Sequence, residues 1–172
     1  MPRQRREHRY ATLMHQRAWS LPQKKDKPTA AVLYVSAYGY TRILANKAYE
    51  ICAANGFDVQ ICDIIKTEQA KVNALANESD VLLFGSPTIN RDALKPVWDT
   101  ISAIDAVNCT KKPAFVFGSY GWSGEGVPAL CQRLSTLRFN VFGEGFKVNF
   151  KPSDDDMVAF ENMVTEFLKS SK

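Results

Sequence analysis

Three short apolar runs, each stopping at a turn rich in hydroxyl groups or glycine, constrain this chain more than any other feature. They are residues 30–35 (Ala-Ala-Val-Leu-Tyr-Val), 80–85 (Asp-Val-Leu-Leu-Phe-Gly) and 113–118 (Pro-Ala-Phe-Val-Phe-Gly). Runs rich in β-branched and aromatic residues read as strands, and a strand without polar alternation needs cover on both faces. Each is followed by a turn and then by a helical pattern, so the chain reads as repeated βα units. The first turn is Ser36, Ala37, Tyr38, Gly39, Tyr40 and Thr41, and the helical pattern after it covers 42–55. The first N–H groups of a helix have no intrahelical partner, and the helix dipole favours an anion beside them. Ser36 and Thr41 add hydroxyl donors, and Gly39 permits a positive φ. The turn has no lysine and the chain has no G-x-G-x-x-G, which excludes the lysine-bearing nucleotide loop and the dinucleotide fingerprint. Taken alone, the turn is equally an ordinary βα connection capped by Thr41.

The remaining elements follow in order. Leu44, Ala48, Ile51, Cys52 and Asn55 keep helical spacing, and Gly56 supplies the stop. Residues 58–63 alternate polar and apolar, which predicts an edge strand. A weaker helix is expected over 67–77. After the 80–85 strand comes a loop of Ser86, Pro87, Thr88, Ile89, Asn90, Arg91 and Asp92, then a helix over 94–104 that tolerates Pro96 only in its first turn. The 113–118 strand leads into a second rich loop: Ser119, Tyr120, Gly121, Trp122, Ser123, Gly124, Glu125 and Gly126. A helix over 127–137 and a last strand within 139–150, broken by Gly143 and Gly145, come next. Ser153 then opens a final helix with Asp154, Asp155 and Asp156 in its first turn. The expected fold class is α/β: a three-layer, doubly wound, parallel five-stranded sheet. In such sheets ligands bind outside the carboxyl ends of the strands, where the strand order reverses. The three rich turns all fall at that edge.

Charge divides the 172 residues unevenly. Residues 1–28 hold eight Lys/Arg against two Asp/Glu, whereas the rest holds fourteen against sixteen. The chain therefore divides into a basic leader, 1–28, and one folded domain, 29–172. A solvated arm, an Arg-rich targeting sequence and a nucleic-acid tail all suit the leader's composition; the last has no folded module to present it, so no nucleic-acid partner is expected. No apolar run approaches the ~20 residues that span a bilayer, so no membrane partner is expected. Cys52, Cys62, Cys109 and Cys131 form no C-x-x-C pair and read as reduced thiols of a cytoplasmic protein. The two histidines, His8 and His15, both lie in the leader, too few for a histidine-rich metal site in this chain.

The first turn resembles the phosphate loop of flavodoxins, Ser/Thr-x-x-Gly-x-Thr, which holds the phosphate of FMN. Residues 85–99 (GSPTINRDALKPVWD) and 118–125 (GSYGWSGE) are similar to the flavodoxin-like domain of flavodiiron proteins, a resemblance that covers residues 30 to 168. That family joins a diiron β-lactamase-like domain to an FMN domain and reduces oxygen or nitric oxide. The leader from His8 to Ser20 is similar to the segment that leaves the diiron domain.

The resemblance implies FMN as cofactor and a flavodoxin-like strand order, 2-1-3-4-5. Ser36, Ala37, Tyr38, Gly39, Tyr40 and Thr41 would cradle the phosphate. Ser86, Pro87, Thr88, Ile89 and Asn90 would offer donors, acceptors and apolar cover. Ser119, Tyr120, Gly121, Trp122, Ser123 and Gly124 would offer aromatic faces and close backbone approach to the flavin ring. Arg42 stands beside the phosphate loop. Trp98 lies on a helical face and reads as core or interface packing. The implied role is an electron-transfer module, not a complete reductase, and no catalytic residue of its own is expected. Its implied partners are a diiron domain or subunit in trans, an upstream donor such as rubredoxin or an NAD(P)H reductase, and a second copy in a head-to-tail homodimer. An FMN-dependent NAD(P)H:quinone oxidoreductase, or a flavin-free interaction domain on the same fold, are the alternatives.

Overall fold

The computed structural model describes residues 26–171. The basic leader up to residue 25, including both histidines and the segment similar to the diiron-domain exit, lies outside them.

The sheet is built from β1 (Thr29–Tyr34), β2 (Asp58–Asp63), β3 (Val81–Gly85) and β6 (Pro113–Tyr120), with β7 (Asn140–Val141) and β8 (Phe146–Asn149) sharing one flank. Its order is β2-β1-β3-β6-β7, with β8 also paired to β6, and every ladder in it is parallel. The five-position order expected from the sequence holds, but the fifth position is split. Gly143 (φ 60) and Gly145 (φ 78) turn the backbone through the left-handed region between β7 and β8. At Gly145 a Cβ would sit 2.5 Å from Val127 and 2.8 Å from the Val116 carbonyl oxygen, so close packing also demands glycine there.

Burial follows the predicted periodicities. Along β1, Ala30, Val32 and Tyr34 face one core cluster while Ala31, Leu33 and Val35 face the other. The first cluster packs under α1 (Tyr40–Ala54) and α5 (Asp154–Ser170), with Phe115, Phe117, Phe160 and Phe167 at its centre. The second packs under α2 (Gln69–Glu78), α3 (Lys95–Ser102) and α4 (Gly126–Thr136). Each fully buried phenylalanine contributes roughly 1.5–3 kcal/mol. β1, β3 and β6 are buried along nearly their whole length because helices cover both faces, whereas β2 alternates because it stands at the sheet edge.

Two elements depart from the sequence reading. Residues 86–92, expected as a loop, contain a small hairpin of β4 (Thr88–Ile89) and β5 (Asp92–Ala93). Asn90 (φ 53) and Arg91 (φ 64) close it as a two-residue turn with both φ angles positive. Without an Asn-Gly or Asp-Gly pair, the sequence carries no strong turn signal. Ser119 and Tyr120, expected in the second rich loop, are the last residues of β6, because β8 pairs alongside and continues the ladder to Tyr120–Asn149.

Candidate functional site at the carboxyl edge of the sheet

The first turn leaves β1 and enters α1 through Gly39, which caps the helix at φ 89 with open space where a Cβ would stand. Gly39 itself has no side chain to cap α1, and the first turn of the helix holds no acidic residue. The final helix differs: Ser153 and Asp156 close its start with reciprocal hydrogen bonds. The start of α1 is thus held only by a neutral hydroxyl from the preceding turn. The Gly39 and Arg42 N–H groups converge on one oxygen, Ser36 Oγ, at 3.1 and 3.3 Å. Two backbone donors aimed at a single oxygen make a nest of the kind that binds a phosphate oxygen. Tyr34 stands at the end of β1. Burial, with Asp63 adding to it, raises that phenol above its ordinary range, and Arg42 opposes the shift.

Beside the nest lies a slot of about 230 Å³ lined by Tyr38, Tyr40, Pro87, Thr88, Ile89, Asn90, Ser119, Tyr120, Gly121, Trp122 and Phe150. Trp122 is 96% exposed and Tyr38 80% exposed, with Phe150 and Ile89 also open to solvent. Large aromatic side chains gathered around one concavity without core partners point to a flat apolar ligand. The slot is smaller than an enclosed ligand pocket, so such a ligand would be gripped along one side and stay partly open. Roomier grooves of about 400 and 460 Å³ lie near Thr29 and Asp58, at the opposite edge of the sheet. The carboxyl edge, where the topology reverses between β1 and β3, is the position that open α/β sheets use.

Thr41 and Ser119 are buried, and their hydroxyl oxygens lie 2.9 Å apart, joining the first turn to the end of β6. The structure therefore brings all three predicted segments to one rim, but not every predicted side chain reaches it. Ser86 is fully buried; its hydroxyl donates to the Pro87 carbonyl at 2.9 Å and accepts from the Leu94 N–H at 3.0 Å. Its side chain thus holds the hairpin in place, leaving the backbone of the 86–90 segment to face the rim. Ala37, Ser123 and Gly124 flank the rim without lining the slot. Trp98 packs against the core and donates through Nε1 to Asp92 at 3.2 Å, in keeping with its helical position. Phe150 was missed. It follows β8 with φ 54, bonds through its N–H to the Tyr120 carbonyl at 2.7 Å, and covers Gly121. The available signal was its place at the end of the last predicted strand, hence at the same edge.

The anion nest, the half-open aromatic slot and the reversal of strand order define an FMN-binding electron-transfer domain of the flavodoxin type, and the residues present fit that cofactor. The flavodoxin family matches residues 32–162, and the chain belongs to that family. It is 43% identical over 141 residues to the flavo-diiron protein FprA2 of Clostridium acetobutylicum, covering 81% of this chain and 35% of that protein. It superposes on the metal-soaked Flv1 flavodiiron core of Synechocystis with a TM-score of 0.77 at 27% identity, covering 95% of this chain and 40% of the other. A flavodoxin from the domain Archaea shares the fold at a TM-score of 0.75 and 23% identity, with 83% and 98% coverage. The chain spans about a third or less of the length of the curated relatives it matches.

Proposed function

We propose that this domain holds FMN across the three turns of the carboxyl edge and passes electrons to a diiron oxygen or nitric oxide reductase centre. The phosphate would take the place of Ser36 Oγ at the Gly39 and Arg42 N–H groups, with Tyr40 and Thr41 at the start of α1. The ring would lie in the slot, with Thr88, Ile89 and Asn90 on one wall and Tyr120, Gly121 and Trp122 on the other. The observation that carries this reading is the placement of an anion nest and an aromatic slot on one rim, tied together by the Thr41–Ser119 bond.

FMN, when bound, supplies reversible one- and two-electron chemistry. The chain's own residues bind and orient it. Backbone N–H groups offset the phosphate charge, while the aromatic walls displace water from the ring faces. The mouth of the slot leaves one edge open to a redox partner. The similarity to flavodiiron proteins supports a diiron domain as acceptor, in the same longer protein or in trans, and a rubredoxin or NAD(P)H reductase as donor. A head-to-tail homodimer would bring the open edge of one copy to the iron centre of the other. Four buried thiols without a disulfide support a reducing, cytoplasmic setting.

An absorbance spectrum and metal analysis of the purified chain test this reading. The protein should be yellow and release FMN on denaturation. Once reduced, it should be reoxidised faster when a diiron subunit and oxygen or nitric oxide are added together. A folded preparation that stays colourless in excess FMN would overturn the proposal, and rapid NADH-driven quinone turnover would favour the quinone oxidoreductase instead.

A further inference from the structure

One wall of the slot carries a backbone cost that a glycine in the same turn would avoid. Asn90 (φ 53) and Arg91 (φ 64) both occupy the left-handed region at the tip of the β4–β5 hairpin. Asparagine tolerates that region; arginine does so at a cost that glycine would avoid. Outliers of this kind persist where surrounding contacts over-determine them, and they gather at binding sites. The contact at Arg91 is specific: its Nε donates to Glu125 Oε1 at 3.2 Å. Glu125 lies in the segment that forms the opposite wall, immediately before α4. The Ser123 hydroxyl foremost, the backbone N–H of Glu125 next and Arg91 after them hold the Glu125 carboxyl below the usual carboxylate range. A second tie lies deeper, where the Gly126 N–H donates to Thr88 Oγ1 at 3.2 Å. Here a Cβ on Gly126 would stand only 2.9 Å from that oxygen. The two walls are therefore fastened at the base by Thr88 and Gly126 and at the outer edge by Arg91 and Glu125.

We infer that Arg91 is a positioning residue for the flavin slot: its bond to Glu125 fixes the separation of the two walls, and its backbone cost serves binding and not stability. The inference rests on the flavin reading of the slot. The Arg91 side chain is 83% exposed and that of Glu125 36%, with one carboxylate oxygen of Glu125, Oε2, buried. Exposed ion pairs contribute little to global stability, so removing this one should act on the slot and spare the fold.

The test compares Arg91→Gly, Arg91→Lys, Glu125→Gln and the Arg91→Gly/Glu125→Gln double variant in thermal melts and in titrations with FMN and riboflavin. Arg91→Gly should melt at or above the wild-type temperature yet bind both flavins about fivefold more weakly, the size expected for one exposed pair. Arg91→Lys should recover part of that loss, and the double variant should be no weaker than either single one. Riboflavin carries no charge, so its wild-type affinity should fall with added salt while that of Arg91→Gly stays level. Wild-type flavin affinity in Arg91→Gly, or a melting temperature that falls in step with affinity, would overturn the inference. A wild-type protein that binds neither flavin would overturn the slot reading itself, and this inference with it.

Discussion

Thr41 and Ser119 are separated by 78 positions in the chain, yet their hydroxyls share a hydrogen bond of 2.9 Å beneath the carboxyl edge of the sheet. One belongs to the first turn of α1 and the other to the end of β6, so the bond joins the anion nest to the aromatic slot. Only one of the two protons is spent between them. The other can be donated to a phosphate oxygen, which gives a charge-assisted bond. Thr41→Val should therefore weaken FMN binding by about 1–3 kcal/mol. Flavin fluorescence titration reads this directly, and an unchanged affinity would put the phosphate somewhere other than the start of α1.

Trp122 is 96% exposed. A side chain so open adds almost nothing to the folded state, so Trp122→Ala should leave the melting temperature nearly unchanged. A ring stacked on a bound flavin is different, and its loss should weaken binding by roughly 1 kcal/mol or more. Loss of stability without loss of flavin affinity would contradict the slot assignment.

Gly118 lets β6 pass close to the hairpin entry. A Cβ there would run into the Ser86 carbonyl oxygen and sit 2.9 Å from the Val127 side chain. The Ser86 N–H is itself bonded to the Phe117 carbonyl, so that backbone has little room to yield. Gly118→Ala should destabilise the protein by about 1–3 kcal/mol, read from denaturant unfolding.

The start of α5 should give a pH signature. The Asp156 carboxylate accepts from the Ser153 N–H at 2.9 Å and from its hydroxyl at 2.7 Å, and the hydroxyl bond foremost lowers its pKa. A carboxyl depressed in the folded state contributes stability above its unfolded pKa, about 3.9 for aspartate, and loses it as pH falls through the folded value. Asp156→Asn should therefore melt below wild type at neutral pH, and the gap should close in acid. Melts recorded from pH 7 down to pH 2 would show it, and a gap independent of pH would refute the linkage.

Sequence patterns determined the elements and their order. Apolar runs at 30–35, 80–85 and 113–118 read as interior strands, the alternation at 58–63 suggests an edge, and the glycine and hydroxyl turns fall at one rim once the strands lie parallel. Such features are local, because side-chain periodicity and turn chemistry act over a few residues. What the tertiary structure alone decided came from contacts distant in sequence. The Thr88–Ala93 hairpin closes through Asn90 and Arg91 without a turn signature, and its contacts to Glu125 and Gly126 lie more than thirty positions away. Ser86 turns inward to brace that hairpin, β8 draws Ser119 and Tyr120 into the ladder, and Phe150 reaches the slot only because β8 runs beside β6. No short window of sequence encodes these arrangements, since each partner finds its place only after the sheet has assembled.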